Sequence, residues 1–455
     1  MAINQNPPVT HSFRRTLRLS SFQIGSAMGD ILVTSIWNRV MISNFGIAAA
    51  PVSLLIALRY FLAPISLWAG YLSDTKPFWG LRRTPYIWLG RAFMIISLPL
   101  LGLSMERLGM DQKDILGWSF ATLSSLLYGV GTLISGSPFV TLVRDSVPQE
   151  KQGLAISTVQ TVLIIFFAIF GIVFGLWMEV YDQRIFWQMI LVTMALGGFF
   201  WFFAIVGVEK RGVEAAAQPG ETSEPLYGFM PTMRKIWRDP RTRGFFVFLS
   251  LATMSAWMQD AILEPFGADV FAMPAGRTTR FNSYWQVATV IFLVGAGVLW
   301  RKRPPERQAG PSAAGLLTMA AGMLLLAFAS LTDMVNLVEA SLFIYGAGFG
   351  IYTFGGLSLM AVMSSDREAG AYLGLWTVSI LLFKGVGTFF GGATRDLFLL
   401  QVGLPASLSY ALVFLFSAVG LVAAVFVLSR VDVVGFARDM GRIISQTDAQ
   451  IASVD

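Results

Sequence analysis

A chain of 455 residues that is 55% hydrophobic and only 13% charged, with mean hydropathy +0.64, lies far from the roughly 25% charge of ordinary soluble domains and excludes a soluble enzyme. The formal charge of +6 would suit a nucleic-acid binder, but in so apolar a chain the position of the charges decides their meaning, and no nucleic-acid partner is expected. Cysteine is absent and the single histidine, His11, lies in the polar N-terminal stretch, which removes disulfides, thiolate metal sites, Cys nucleophiles and intramembrane His ligands together.

Hydrophobicity comes in blocks of about 20 residues, each long enough to cross a hydrocarbon core of about 30 Å as a helix. The pattern predicts an all-α polytopic membrane protein with twelve transmembrane helices. The spans fall near 19–43, 51–72, 85–105, 115–143, 154–179, 185–207, 244–265, 283–300, 314–332, 337–362, 372–394 and 405–429. Arg14, Arg15 and Arg18 precede the first run, but no short apolar core with a small-residue cleavage site follows, so that run is expected to stay as a span. The expected organisation is an N-tail over 1–18, a first six-helix bundle over 19–208, a linker over 209–243, a second bundle over 244–429 and a C-tail over 430–455.

Asp30 stands in the middle of the first span, after Gly25 and Gly29, whose four-residue spacing would let another helix approach it. A charge facing hydrocarbon costs about 2.5–3.5 kcal/mol, so Asp30 needs either a role facing a central cavity, as a proton or ligand site, or an ion pair with Arg59 or Arg91. Between the second and third spans comes Gly70-Tyr71-Leu72-Ser73-Asp74, then Gly80-Leu81-Arg82-Arg83, read either as a cytoplasmic gate or as a basic turn. In the seventh span Asp260 and Glu264, four residues apart, would share one helical face, and Pro265 disfavours continuation of the helix. Two such carboxylates resist ionising together and could exchange a proton or hold a cation, unless Glu264 sits in interfacial water. Lys384 in the eleventh span is most simply a counter-charge across the bundle.

Lys and Arg set the expected orientation. Of 33, 23 fall on the side holding both termini, seven on the other (Arg39, Arg107, Lys113, Arg184, Arg277, Arg280, Arg395) and three within spans (Arg59, Arg91, Lys384), which places both termini in the cytoplasm.

The longest polar stretch, 209–243, divides the spans six and six, and contains a flexible Pro219–Pro225 run followed by the basic, amphipathic Met233–Arg238. Internal similarity suggests duplication. Ser26-Ala27-Met28-Gly29-Asp30-Ile31-Leu32 resembles Ala256-Trp257-Met258-Gln259-Asp260-Ala261-Ile262, and the Arg144–Ala155 segment resembles Asp366–Ala371. Two six-helix repeats resemble the major facilitator layout, and the Gly70–Arg83 loop resembles that superfamily's loop motif. Five residues, Thr75 to Trp79, here separate the Asp from the second Gly, more than in the common form.

Longer words carry a narrower resemblance. Asn38-Arg39-Val40-Met41, the Gly70–Asp74 and Arg82-Arg83-Thr84-Pro85-Tyr86 loop, Gln259-Asp260-Ala261-Ile262-Leu263-Glu264-Pro265-Phe266-Gly267 and Thr278-Thr279 resemble the PucC-type, or bacteriochlorophyll delivery, branch of the superfamily over nearly the whole chain. The resemblance implies a factor of the inner or photosynthetic membrane that assembles light-harvesting antenna complexes. It implies antenna polypeptides and pigment-synthesis enzymes as partners, and (bacterio)chlorophyll or a precursor held transiently. With no intramembrane His, direct pigment contact would fall to Asp260, Glu264, Gln259, Asn38, a backbone carbonyl or water. The alternative expectation is a proton-coupled small-solute transporter using Asp30, Asp260 and Glu264. An enzyme finds no support in any Ser/His/Asp set, P-loop or metal spacing.

Overall fold

The computed structural model describes residues 13–148, 151–209, 234, 237–300, 304, 307–364 and 369–439. His11, most of the 209–243 linker, Arg301–Arg303, Asp366–Glu368 and the C-tail beyond 439 lie outside the described residues. The helices in chain order are α1 (Phe13–Ser20), α2 (Phe22–Asp30), α3 (Ala49–Phe61), α4 (Pro64–Thr75), α5 (Thr84–Met110), α6 (Ile115–Asp145), α7 (Gln152–Trp177), α8 (Gln183–Val192) and α9 (Gly198–Phe203). After the linker come α10 (Pro240–Trp257), α11 (Leu263–Phe271), α12 (Ala275–Thr279), α13 (Phe281–Trp300), α14 (Ala309–Thr332), α15 (Val335–Val362), α16 (Ala369–Asp396), α17 (Ala406–Ser429) and α18 (Val433–Asp439). Among the described residues there is no strand, only an isolated bridge between Phe78 and Leu81.

Local chemistry sets many boundaries. Asp114 accepts from the backbone N–H of Leu116 and Gly117 at the start of α6, Asp182 does the same for Arg184 and Ile185 at α8, and Asp239 for Arg241 at α10. Each short carboxylate supplies an acceptor to a helix start that has none of its own. Pro64 and Pro85 stand in first turns, where a missing N–H costs nothing.

Ten helical segments among the described residues are long and apolar enough to cross a membrane, so the chain is an all-α integral membrane protein. Two expected spans, the first and the seventh, fall outside this set. The first, 19–43, loosens after Asp30 into widened π turns over Ile31–Trp37 and Val40–Asn44. The seventh, 244–265, ends at Trp257 and restarts at Leu263. Asp260 therefore lies in a turn and does not share a continuous helical face with Glu264, which corrects the expected i, i+4 pair. Pro265 does not end a helix either: it occupies the first turn of α11, a position that tolerates it.

By their contacts the residues form two compact units. One comprises Met1–Glu221, Asp260–Gln286 and Gly391–Leu397, and the other Thr222–Gln259, Val287–Phe390 and Phe398–Asp455. The contacts thus assign 260–286 and 391–397 to the unit built on the N-terminal bundle. Several bonds within that unit show why. Ser283 donates to the Ala168 carbonyl at 2.7 Å, and the Gly276 N–H to that of Glu179 at 3.0 Å. The Asp396 carboxylate accepts from the Ala49 and Ala50 N–H groups at 3.0 and 2.6 Å, capping α3. Its core holds Phe22, Trp37, Phe186 and Trp201, all fully buried. The second unit is centred on Phe245, Phe248, Tyr345, Trp376 and Tyr410, with Phe245 edge-on to Trp376 at 4.9 Å.

Candidate functional site

Asp30 is an ion-paired group. Its Oδ1 accepts from Arg59 Nη1 at 2.9 Å and from the Tyr128 hydroxyl at 2.8 Å, and Arg59 also donates to the Tyr60 hydroxyl at 2.7 Å. Gly29 permits this approach, because a Cβ there would lie 2.7 Å from the Tyr128 hydroxyl. Beside the cluster a cavity of about 10 Å³, lined by Val33, Leu55, Ile56, Arg59, Ser125 and Tyr128, has room for about one water. Of the two arginines the sequence offered, Arg59 is the partner. Arg91, 4% exposed, forms no ion pair among the described residues. It donates to Ser26 Oγ at 3.3 Å and Met94 Sδ at 3.0 Å, and its guanidinium lies over the rings of Phe22 and Trp201 at 4.3 and 5.0 Å. Its charge is held by aromatic faces, a contact worth about 0.5–2 kcal/mol each.

A second polar cluster gathers where α2 has loosened and the seventh span has broken. Glu264, 2% exposed, accepts at Oε1 from Asn282 Nδ2 at 2.6 Å. The expectation of interfacial water around Glu264 is therefore overturned: it is buried. Asn38, fully buried, donates to the Ala261 carbonyl at 2.7 Å, satisfying a group that the interrupted helix leaves free. Arg39 donates to the Met273 carbonyl at 3.0 Å and to Asn44 Oδ1. Three oxygens here remain without a hydrogen-bond partner of good geometry: Glu264 Oε2, Asn38 Oδ1 and the hydroxyl of Ser35, which lies beside the carboxylate. In the other unit Gln259 is also buried, with Oε1 unpartnered, and Lys384 Nζ lies 3.2 Å from the Trp257 ring centroid. Carbonyls freed at the end of α10 are met by Tyr345, donating to Ala256 at 2.7 Å, and Ser417, donating to Ser255 at 2.7 Å.

The loop motif forms a third cluster. Arg83 pairs with Asp74 at 2.5 Å and Asp145 at 3.2 Å, and donates to Ser73 Oγ at 3.3 Å. Ser73 in turn donates to the Gly70 carbonyl at 2.8 Å. The longer spacer folds as a tight hairpin in which Phe78 and Leu81 exchange backbone bonds at 2.9 and 3.1 Å. Trp79 and Gly80 take φ of 54° and 72° at its tip, the left-handed pair a two-residue turn requires. Arg82 contributes its backbone. Glu209 accepts from the N–H groups of Arg82, Arg83 and Thr84 at 2.6, 3.1 and 2.9 Å, and from the Thr84 hydroxyl at 2.8 Å.

Sequence reasoning missed Tyr128, Asn282, Asp145 and Glu209, and the buried Arg395 that bridges Asp269 at 2.8 Å and Asp396 at 2.9 Å. Asn282 and Arg395 carried a signal, being polar at the edge of apolar runs. Tyr128 and Glu209 carried none.

Residues 36–436 match the family model described as PUCC protein. A relative named Protein PucC from Rhodovulum sulfidophilum is 30% identical over 397 residues, covering 84% of this chain and 85% of the relative. A relative from Rhodobacter capsulatus named Bacteriochlorophyll synthase 44.5 kDa chain is 26% identical over 417 residues, covering 89% of this chain and 92% of the relative. Among solved structures, a POT family transporter in complex with 5-aminolevulinic acid aligns with TM-score 0.69 and 13% identity, over 95% of this chain and 98% of that one. At that identity the likeness shows the major facilitator fold alone.

Proposed function

The chain belongs to the PucC protein family, and from that premise we propose that it is a non-enzymatic factor of the photosynthetic membrane that assembles light-harvesting antenna complexes and handles (bacterio)chlorophyll while the pigment is inserted. The observation that carries this reading is the family match running from 36 to 436 through the Gln259–Gly267 word. A relative named for bacteriochlorophyll synthesis supports the pigment class. Antenna polypeptides and pigment-synthesis enzymes are the proposed partners, and the excess of Lys and Arg on one side supports termini in the cytoplasm.

The fit to a pigment divides. Glu264 Oε2 and Asn38 Oδ1 are hard oxygen donors of the kind magnesium accepts. Both are buried, however, so a macrocycle reaches these atoms only if the surrounding side chains move. Asp260 and Gln259 stand with them as candidate contacts.

A second reading, proton-coupled solute transport, draws on the partly buried Asp30 held by Arg59 and Tyr128 in a major facilitator fold. In this reading the Arg83–Asp74–Asp145 cluster serves as the cytoplasmic latch. The absorption spectrum of membranes from a deletion strain separates the two. Loss of one antenna band with normal uptake supports assembly, whereas substrate flux that collapses with the proton gradient and an intact antenna spectrum support transport.

A further inference from the structure

A cavity of about 490 Å³ on the first unit is lined by Arg18, Gly198, Phe199, Phe202, Phe203 and Val206. Phe199 and Phe203 stack with centroids 5.2 Å apart and 10° between planes, and the Trp88 ring lies 6.0 Å from that of Phe202. Phe199, Phe203 and Val206 are exposed, so the groove is open. At its edge the Arg18 guanidinium lies 4.9 Å from the Phe203 centroid. Nε and Nη2 donate to the Phe203 carbonyl at 3.2 and 2.7 Å, and Nη2 also to that of Val206, leaving Nη1 without a protein acceptor among the described residues. One turn back, Arg15 donates to the Val208 carbonyl at 2.7 Å, and Arg14 is exposed.

Among the described residues no carboxylate pairs with any of the three arginines. Burial first, and then the nearby Arg18 charge, hold Arg15 below the usual arginine range. An ordinary lipid-facing surface needs only apolar side chains. This one joins an aromatic trough to an unneutralised basic edge at the end of a membrane segment, which is the complement of a molecule with a long hydrocarbon chain and a negative head. We propose that the groove is a binding site for an anionic diacyl phospholipid, one acyl chain lying along Phe199, Phe202 and Phe203 and the phosphate seated at Arg14 and Arg18.

Lipid retention by the purified full-length chain, followed by native mass spectrometry during titration with phosphatidylglycerol or phosphatidylcholine, tests the site. Phosphatidylglycerol is expected to be retained about ten-fold better. Arg14→Gln, at an exposed residue with no structural bond, should lower that retention about five-fold, in line with the usual contribution of one basic residue at an anionic surface. Val206→Glu, which sets a negative charge at the groove while leaving Arg18 in place, should lower it at least as far, and Phe199→Ala should shorten retention of the acyl chain. Equal retention of the two lipids, indifference of the preference to Arg14→Gln and Val206→Glu, displacement by millimolar inorganic phosphate, or displacement of phosphatidylglycerol by bacteriochlorophyll with no dependence on Arg14 would each overturn the proposal.

Discussion

The segments Ser26–Leu32 and Ala256–Ile262 carry similar words with an acid at the matching place, yet they fold differently. The first stays helical through its acid and only widens into π turns beyond it, while Arg59 and Tyr128 meet the Asp30 carboxylate side chain to side chain. The second gives up its helix just before its acid, and side chains distant in sequence meet the freed carbonyls: Tyr345 and Ser417 before the break, Asn38 within it. Likeness between these two segments therefore says little about matching geometry. What decides is whether a neighbour offers a counter-charge or a hydrogen-bond donor.

The largest test of that contrast is Arg59→Ala, which leaves the partly buried Asp30 with no cation and should cost about 3 kcal/mol, read as a lower apparent Tm of the purified chain. Asp30→Asn combined with Arg59→Gln should recover much of the loss. An Arg59→Ala chain that melts with the parent would show that the first segment does not depend on its ion pair. Next in size is Asn38→Leu, which strands the Ala261 carbonyl and should cost about 1–3 kcal/mol, with amide exchange rising over 258–263 and unchanged over 22–30. If exchange rises equally in both places, the two segments are coupled and the contrast fails.

Smaller effects sharpen the picture. Asp396→Ala removes the carboxylate that caps α3 and balances Arg395, and about 1 kcal/mol should be lost, with protease sensitivity appearing near Gly46–Ala49 before either of the compared segments loosens. The smallest expected change has the opposite sign. Trp79→Asn relieves a left-handed backbone at a residue that is 70% exposed, so about 1 kcal/mol should be gained with no change at Asp30 or Glu264. Destabilisation there would mean that the indole packs on something beyond its own hairpin.

Apolar run length made most spans legible, since ten of the expected segments meet the demands of a membrane crossing. The break in the seventh was not legible, because Gln259 and Asp260 mark a polar point within 244–265 without saying that the helix stops there, and the interruption depends on donors far away in the chain. Pro265 was a true signal with the wrong sign, marking the beginning of α11 where it was read as an end. The partner of Asp30 was narrowed to two arginines but not chosen between them. The choice rests on Phe22 and Trp201, whose faces enclose Arg91 and whose position no spacing rule gives. Glu209 looked like the first residue of a linker. Its role in capping α5 arises only from the folded approach of two chain ends more than a hundred positions apart.

The widened turns over Ile31–Trp37 act as a vernier. An ordinary helix advances roughly 100° per residue, and a π turn accommodates one residue more per hydrogen-bonded loop. Removing a single residue from that run would let the backbone tighten and swing Asn38 and Arg39 away from the carbonyls of Ala261 and Met273. The count of residues in this short stretch, more than their identity, therefore aims both side chains, and a one-residue deletion there should do more harm than most substitutions.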